Sequence, residues 1–268
     1  MLRAVGILFG LATQALFLWT VVRLFLFLAG ASQGLLMPWS SGVRLPWYAW
    51  DILLAVQFAV PHSWLLLPGT RQRLQCLVPA PFYGCFFCSV TCLCLLATIE
   101  LWQRQSAALW RLDGTPAALV RAVFLALWPA LIYSLSLTGL AYQTGWTPWW
   151  AWLRGRLPPP RQFRPRGAYR LIRHPVYLCF LGLIWLTPSM TLDRAVLTAI
   201  WTAYIFIGSS LKDRRLLRFI GEPYRQYQAR VAGFLGSGVL VRFGRWFQQA
   251  RPVISKLPHD PRPRAFDS

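Results

Sequence analysis

Two groups of polar side chains, far apart along the chain, have the residue types needed to bind a charged small molecule. An arginine binds a carboxylate through two parallel hydrogen bonds, and an imidazole donates or accepts a proton near neutral pH. A carboxylate suits an ammonium or hydroxyl group, and two tyrosines three positions apart present their rings on one side of a helix. The first group is Arg173, His174 and Tyr177, and the second is Asp213, Tyr224 and Tyr227.

Pro175 indicates how the first group is placed. Proline is favoured at the first position of a helix, where its missing N–H costs nothing. Arg173 and His174 then stand directly before the helix, at its positive end, which suits a carboxylate.

The chain between the two groups predicts a helical hairpin. Two apolar runs are joined by the short break TPSMTLD, residues 187–193. The open ends of a hairpin lie side by side, so both polar groups are expected at the same membrane face.

This segment resembles the C-terminal half of the integral-membrane methyltransferases related to isoprenylcysteine carboxyl methyltransferase. The matching residues are Arg173-His174-Pro175-Val176-Tyr177 and Gly221-Glu222-Pro223-Tyr224-Arg225-Gln226-Tyr227, with Leu216 between them. Where that family carries an acidic pair, this chain has Lys212-Asp213.

A second stretch is similar to one branch of that family, which includes bacterial methanethiol S-methyltransferases and the nuclear-envelope protein nurim. An aspartate, a Phe-x-x-x-His-Ser motif and a basic turn carry this similarity. The residues are Asp51, Phe58, His62, Ser63, Arg71 and Arg73.

The resemblance implies an S-adenosylmethionine-dependent methyltransferase acting on a small or lipophilic thiol or carboxylate. Arg173 and His174 would be catalytic, and Asp51 and His62 would lie on the acceptor side. Two alternatives stay open: a non-catalytic, nurim-like protein that keeps the fold, which Lys212 favours, or a respiratory or lipid-binding accessory membrane protein. The cofactor-binding residues implied are Arg173, His174, Pro175, Tyr177, Asp213, Gly221, Tyr224 and Tyr227.

The composition indicates a membrane protein. The chain is 56% hydrophobic with a mean hydropathy of +0.43, and several runs reach the roughly 20 residues that cross a bilayer as a helix. The predicted fold is all-α: a multi-pass transmembrane helical bundle of about six spans, the last two forming the hairpin. The net charge is +20, and the basic residues that produce it flank the apolar runs. This pattern predicts anchoring to lipid headgroups and no nucleic-acid partner.

The charge distribution suggests three regions and an orientation. Residues 1–142 hold the N-terminal spans, residues 143–231 hold an arginine-rich loop and the cofactor-binding hairpin, and residues 232–268 form a basic tail with an amphipathic segment and a disordered end. The loop and the tail carry the largest positive excess, so both termini are expected in the cytoplasm, in a bacterial inner membrane.

Two further features have competing interpretations. The first run, residues 4–29, could be a signal peptide, but it is longer than the usual apolar core of about 7–15 residues, which favours a retained span. Cys85, Cys88 and Cys92 have a spacing that suits a metal, but they lie within an apolar run, which favours packing and no metal.

Overall fold

The computed structural model describes residues 2–31, 45–160 and 163–234. The tail beyond residue 234, with its predicted amphipathic segment and disordered end, lies outside these residues, as does most of the loop after the first run. The predicted division into three regions therefore remains a prediction.

Helices make up most of the described structure. The N-terminal part contains α1 (Leu2–Ala29), α2 (Trp47–Leu65), α3 (Pro68–Leu74), a 3₁₀ turn (Ala80–Phe82) and α4 (Tyr83–Leu101). A strand, β1 (Ala108–Arg111), precedes α5 (Gly114–Leu137), α6 (Leu140–Gln143) and α7 (Trp146–Leu153). A second 3₁₀ turn (Gly167–Arg170) leads to α8 (Pro175–Trp185), β2 (Ser189–Thr191), α9 (Leu192–Ile220) and α10 (Glu222–Arg230).

The all-α, multi-pass membrane fold is confirmed. Within the described residues, four helices are long and apolar enough to cross a membrane, namely α1, the segment Ala80–Leu101, α5 and α9. The pair α2 and α3 makes a fifth if the 78° bend between them is counted within one span.

The expected sixth span is shorter than predicted. Helix α8 has 11 residues, which at 1.5 Å per residue is about 16 Å, roughly half of the hydrocarbon core. It ends where Leu186 leaves the helical conformation. The chain then forms β2, which pairs antiparallel with β1. The hairpin therefore has one short arm and one long arm.

The core lies where the long helices meet. Helix α4 packs between α1 and α2, α5 packs on α8, and α9 packs on both α2 and α8. The most deeply buried members of this core are Ala55, Ile99, Trp102, Leu183 and Leu197. Cys85, Cys88 and Cys92 of α4 lie buried inside this framework, and Cys94 is partly buried. The packing interpretation of these cysteines remains a prediction.

Candidate functional site

The open end of the hairpin gathers the two predicted polar groups around one carboxylate, Asp213. One of its oxygens, Oδ2, lies 3.0 Å from Nη1 of Arg173. The other, Oδ1, lies 3.3 Å from Nε2 of His174 and accepts a 2.5 Å hydrogen bond from the hydroxyl of Tyr224. We call this cluster of four residues the hairpin mouth.

The segment that follows α10 fixes the backbone of Arg173 and His174. The N–H of Arg173 donates to the carbonyl of Ala232 over 2.8 Å, and that of His174 donates to Gly233 over 3.2 Å. An isolated parallel bridge joins Ile172 to Ala232. These contacts hold both side chains just before α8, which begins at Pro175 as predicted. Residues 232–233 carry no chemical group that could have revealed this role in the sequence.

Gly221 turns the chain from α9 into α10. Its backbone has φ 73° and ψ −135°, a conformation that residues with a side chain rarely adopt. The turn brings Tyr224 back over the end of α9, where it is 2% exposed. Tyr227 follows in the same helix, and its hydroxyl donates a 2.6 Å hydrogen bond to the carbonyl of Tyr169.

Aromatic rings form one wall beside the hairpin mouth. The rings of Tyr224 and Tyr227 lie 5.7 Å apart, and Phe163 lies 5.5 Å from each of them in an edge-on arrangement. Phe163 belongs to the arginine-rich loop and was not among the predicted site residues. On the other side, His174 packs 5.5 Å from Tyr177 and 5.2 Å from Phe234.

Burial keeps the phenols of Tyr224 and Tyr227 neutral. Burial, followed by the hydrogen bond to Asp213, raises the pKa of Tyr224 well above its usual value. Burial also raises the pKa of Tyr227 to about 12. Both hydroxyls therefore stay hydrogen-bond donors throughout the physiological pH range.

Two buried nitrogen atoms of the mouth have no hydrogen-bond partner within the part of the chain that the structure describes. They are Nε of Arg173 and Nδ1 of His174, and His174 is only 3% exposed. Buried polar atoms are almost always hydrogen-bonded. A polar ligand with a carboxylate or hydroxyl would satisfy them, and the aromatic wall suits a flat ring, so the residues present fit S-adenosylmethionine.

Lys212, the predicted departure from the acidic pair, also faces the site. Its ammonium lies 5.2 Å from the centre of the Tyr177 ring and 5.8 Å from that of Tyr169. These distances are typical of cation–π contacts. The site therefore contains an additional cation, on the residue directly before Asp213 in the sequence.

His62 lies against α9, the helix that carries Asp213. Its Nδ1 is 2.7 Å from the hydroxyl of Tyr204, which is also 3.1 Å from Oγ of Ser63. The imidazole packs against Phe58 and Phe87, with ring centres 5.6 and 5.4 Å away. Tyr204 contacts both members of the predicted His-Ser pair. Tyrosines are common at membrane interfaces, so the sequence alone offered no reason to select this one.

Asp51 is placed at the opposite end of the bundle. Its side chain is fully buried, and its Oδ1 accepts a 3.0 Å hydrogen bond from the N–H of Gln103. Asp193, at the start of α9, receives the neighbouring N–H of Gln105 and the indole of Trp102. The 20 residues of helix from Asp193 to Asp213 span about 30 Å, so the structure does not bring Asp51 to the mouth.

The fold and the mouth define the class: a multi-pass helical membrane protein with a charged, aromatic-walled site at one end of a hairpin. Comparison with known proteins gives similarity to a methanethiol S-methyltransferase of Pseudomonas deceptionensis, 30% identical over 70% of this chain and 72% of that protein. A methanethiol S-methyltransferase of a Pseudomonas species is 29% identical over 85% and 89%. Nurim of Danio rerio is 27% identical over 65% and 68%.

The chain therefore belongs to the membrane-protein family that contains the methanethiol S-methyltransferases and nurim. No family model matches the sequence, and no solved structure matches the chain.

Proposed function

We propose that this protein is an integral-membrane methyltransferase that uses S-adenosylmethionine to methylate a small thiol such as methanethiol. One observation carries the proposal: Asp213 gathers Arg173, His174 and Tyr224 into one site. The relatives named methanethiol S-methyltransferase support the reaction class.

Each residue of the mouth has a role in this proposal. Arg173 holds the cofactor carboxylate, since its guanidinium forms paired hydrogen bonds. His174 offers its buried Nδ1 to a polar group of the cofactor, and Asp213 orients Arg173 and His174 while receiving the cofactor ammonium. The adenine would pack against the wall of Phe163, Tyr224 and Tyr227.

S-adenosylmethionine, when bound, supplies a methyl group on a positively charged sulfur. The residues of the mouth contribute alignment and exclusion of water, which together reduce the barrier of a displacement without covalent participation by the protein. His62 remains proposed for the acceptor side, because it lies on α2 and contacts Tyr204 of α9, the helix that carries Asp213. Tyr204 joins this proposal as the partner of His62. The acceptor role of Asp51 is the weaker proposal, because that residue lies at the other end.

The distribution of basic residues supports an orientation. The loop 143–174 and the C-terminal region carry the largest positive excess, which supports a mouth at the cytoplasmic face of a bacterial inner membrane. Soluble S-adenosylmethionine reaches the site from that side, and membrane lipids surround the apolar helices.

The test is equilibrium binding of radiolabelled S-adenosylmethionine to detergent-purified protein, followed by headspace detection of dimethyl sulfide formed from methanethiol. We expect saturable binding that His174→Ala abolishes. Arg214→Ala is the control, because Arg214 is exposed on the same helix as Asp213. Thermal unfolding of each variant establishes that it is folded.

A structural, non-catalytic role is the second candidate. The favouring observation is that both oxygens of Asp213 already have partners within the chain, so the cluster could simply fasten the two helices together. Failure of the folded wild type to bind S-adenosylmethionine would favour this role.

A further inference from the structure

Lys212 is a cation without a fixed counter-ion in the described part of the chain. Within residues 2–31, 45–160 and 163–234, its ammonium makes cation–π contacts to Tyr169 and Tyr177, and the charge of Asp213 acts on it without a direct ion pair. The side chain is only partly exposed. A lysine that lies over tyrosine rings is held in place, and its three N–H donors remain available to an anion.

The neighbouring carboxylate is already engaged. Asp213 receives Arg173 on one oxygen and both His174 and Tyr224 on the other. The other nearby acid, Glu222, forms a solvent-exposed pair with Arg225 over 3.5 Å. The space around Asp213 therefore holds Arg173 and Lys212 against a single carboxylate, and Arg215 adds a further positive charge nearby, so positive charge is in excess.

The proposed cofactor would make this surplus larger. S-adenosylmethionine carries a net positive charge at neutral pH, because its sulfonium adds to a zwitterionic amino acid. A second cation beside it is unfavourable unless an anion enters the same space, since like charges a few ångströms apart repel strongly in a partly buried site.

We propose that Lys212 forms an anion site for the methyl acceptor and binds the acceptor thiol as its thiolate. This inference rests on the proposed methyltransferase function. It adds the ionisation state of the methyl acceptor, a thiolate, and the residue that contacts the acceptor, Lys212. Lys212 replaces the acid of the resembling family with a group of the opposite charge, and its ammonium stabilises the sulfur anion until transfer.

The chemistry balances without any further reactant. The thiol loses its proton to solvent on binding, and the thiolate lone pair forms the new sulfur–methyl bond. The bond between the methyl carbon and the sulfonium sulfur breaks, and its electron pair stays on that sulfur. An anion and a cation thus become two neutral thioethers, and Lys212 keeps its proton throughout.

A cation beside the acceptor thiol increases the rate of methyl transfer because it increases the fraction of the thiol that is ionised. A simple alkanethiol is almost entirely protonated at neutral pH, and the thiolate is the nucleophile. A charge about 4 Å away in a partly buried site lowers a pKa by about one to three units. Each unit increases the thiolate about tenfold but weakens its intrinsic reactivity, so the net gain is about threefold per unit.

Other titratable and charged groups face the same space and set the background for a pH experiment. Asp213 and Arg215 lie on the helix of Lys212, and the rest come from the helices and turns packed around it. These further groups are Tyr169, Arg173, His174, Tyr177, Tyr224, Tyr227, His62 and Tyr204.

Three variants separate the charge of Lys212 from its bulk. Lys212→Met keeps the length of the side chain and removes the charge, and Lys212→Arg keeps the charge. Arg214→Met removes one exposed positive charge two residues away and serves as the matched control. Two properties are measured for each: kcat/KM for methanethiol against pH, and the dissociation constant of S-adenosylmethionine.

A binding experiment without turnover accompanies the kinetics. A thiol is titrated calorimetrically into the protein saturated with S-adenosylhomocysteine, in buffers of different ionisation enthalpy. With methanethiol as the thiol, we expect the wild type and Lys212→Arg to release a fraction of a proton per thiol bound, a fraction that increases with pH towards one, and Lys212→Met to release far less at each pH. The variant Lys212→Met should move the pH profile up by about one to three units and lower kcat/KM at neutral pH about tenfold.

The outcomes distinguish this inference from the proposed function. A Lys212→Met protein with wild-type cofactor affinity, an unshifted pH profile and unchanged proton release would overturn the thiolate site and leave the methyltransferase intact. Loss of cofactor affinity in Lys212→Met alone would assign Lys212 to the cofactor and overturn its acceptor role. A folded wild type that binds no S-adenosylmethionine would remove the proposed function, and this inference with it.

Discussion

The hydroxyl of Tyr224 donates a 2.5 Å hydrogen bond to the carboxylate of Asp213, and this contact joins the short helix after Gly221 to the end of the long helix before it. The same carboxylate receives Arg173 and His174 from the other arm of the hairpin. One acid thus connects three separate segments. Any change at Asp213 or Tyr224 is expected to alter the positions of Arg173 and His174.

Removing the Tyr224 hydroxyl tests how much of the site depends on that bond. A hydrogen bond to a charged group contributes about 1.5–3 kcal/mol, so Tyr224→Phe should weaken S-adenosylmethionine binding about tenfold or more. The ring remains to pack against Phe163, so the protein should still fold. Dissociation constants by equilibrium dialysis make the measurement, with exposed Tyr48→Phe as the control. Unchanged affinity in Tyr224→Phe would contradict the role of this bond.

The turn at Gly221 predicts a backbone effect. With φ 73° and ψ −135°, an alanine would be held in a region that is nearly exclusive to glycine, at a cost of about 1–3 kcal/mol. Gly221→Ala should therefore lower the unfolding midpoint in detergent and weaken cofactor binding by displacing Tyr224.

The matched control for that turn is Gly69→Ala. Gly69 lies inside helix α3, and a Cβ there would meet no atom within 4 Å. Alanine is the better helix former, so this variant should be as stable as the wild type or slightly more stable. Equal effects of the two substitutions on stability and cofactor binding would contradict a special role for the positive φ of Gly221.

Much of the mouth could be predicted from the sequence because its residues are chemically distinctive. Three features predict a position. Pro175 marks the start of α8, Arg173 and His174 stand directly before it, and the two tyrosines after Gly221 are spaced to face one side of a helix. A hairpin between them follows from two apolar runs and a short break. The structure places Arg173, His174, Asp213 and Tyr224 in direct contact, although their roles remain proposals.

The remainder depends on contacts that local sequence does not encode. Phe163 completes the aromatic wall from an irregular loop, and residues 232–233 pair with the backbone, which any residue type can do. The short length of α8 was also unexpected. The helix ends before Leu186, and the chain continues in an extended conformation into β2, which pairs with β1.

Asp51 provides a test of position. Its Oδ1 accepts the N–H of Gln103 in a fully buried location, about 30 Å along α9 from the mouth. Asp51→Ala should reduce the free energy of unfolding by about 1–3 kcal/mol through loss of a buried acceptor. The dissociation constant of S-adenosylmethionine should not change.

Asp113→Ala is the control for Asp51, because Asp113 is exposed and makes no capping hydrogen bond from its side chain. Unfolding in detergent and cofactor binding are measured on both variants. A selective increase in KM for the thiol in a stable Asp51→Ala protein would support the proposed acceptor role of Asp51.

A buried ion pair between α1 and α4 predicts strongly non-additive stability. Nε and Nη2 of Arg23 lie 2.6 and 2.7 Å from the two carboxylate oxygens of Glu100, and both side chains are buried. Replacing one member of such a pair costs about 3–5 kcal/mol, whereas replacing both with apolar residues of similar size is often neutral. Glu100→Met alone should therefore be severely destabilised, and Arg23→Met with Glu100→Met should regain most of the loss. Unfolding titrations of the two single variants, the double variant and the wild type measure the coupling.

The exposed pair Glu222 and Arg225 is the control. Treated in the same way, it should show little coupling, because solvent screens the two charges. Additive losses at Arg23 and Glu100 would mean that each residue contributes through other contacts.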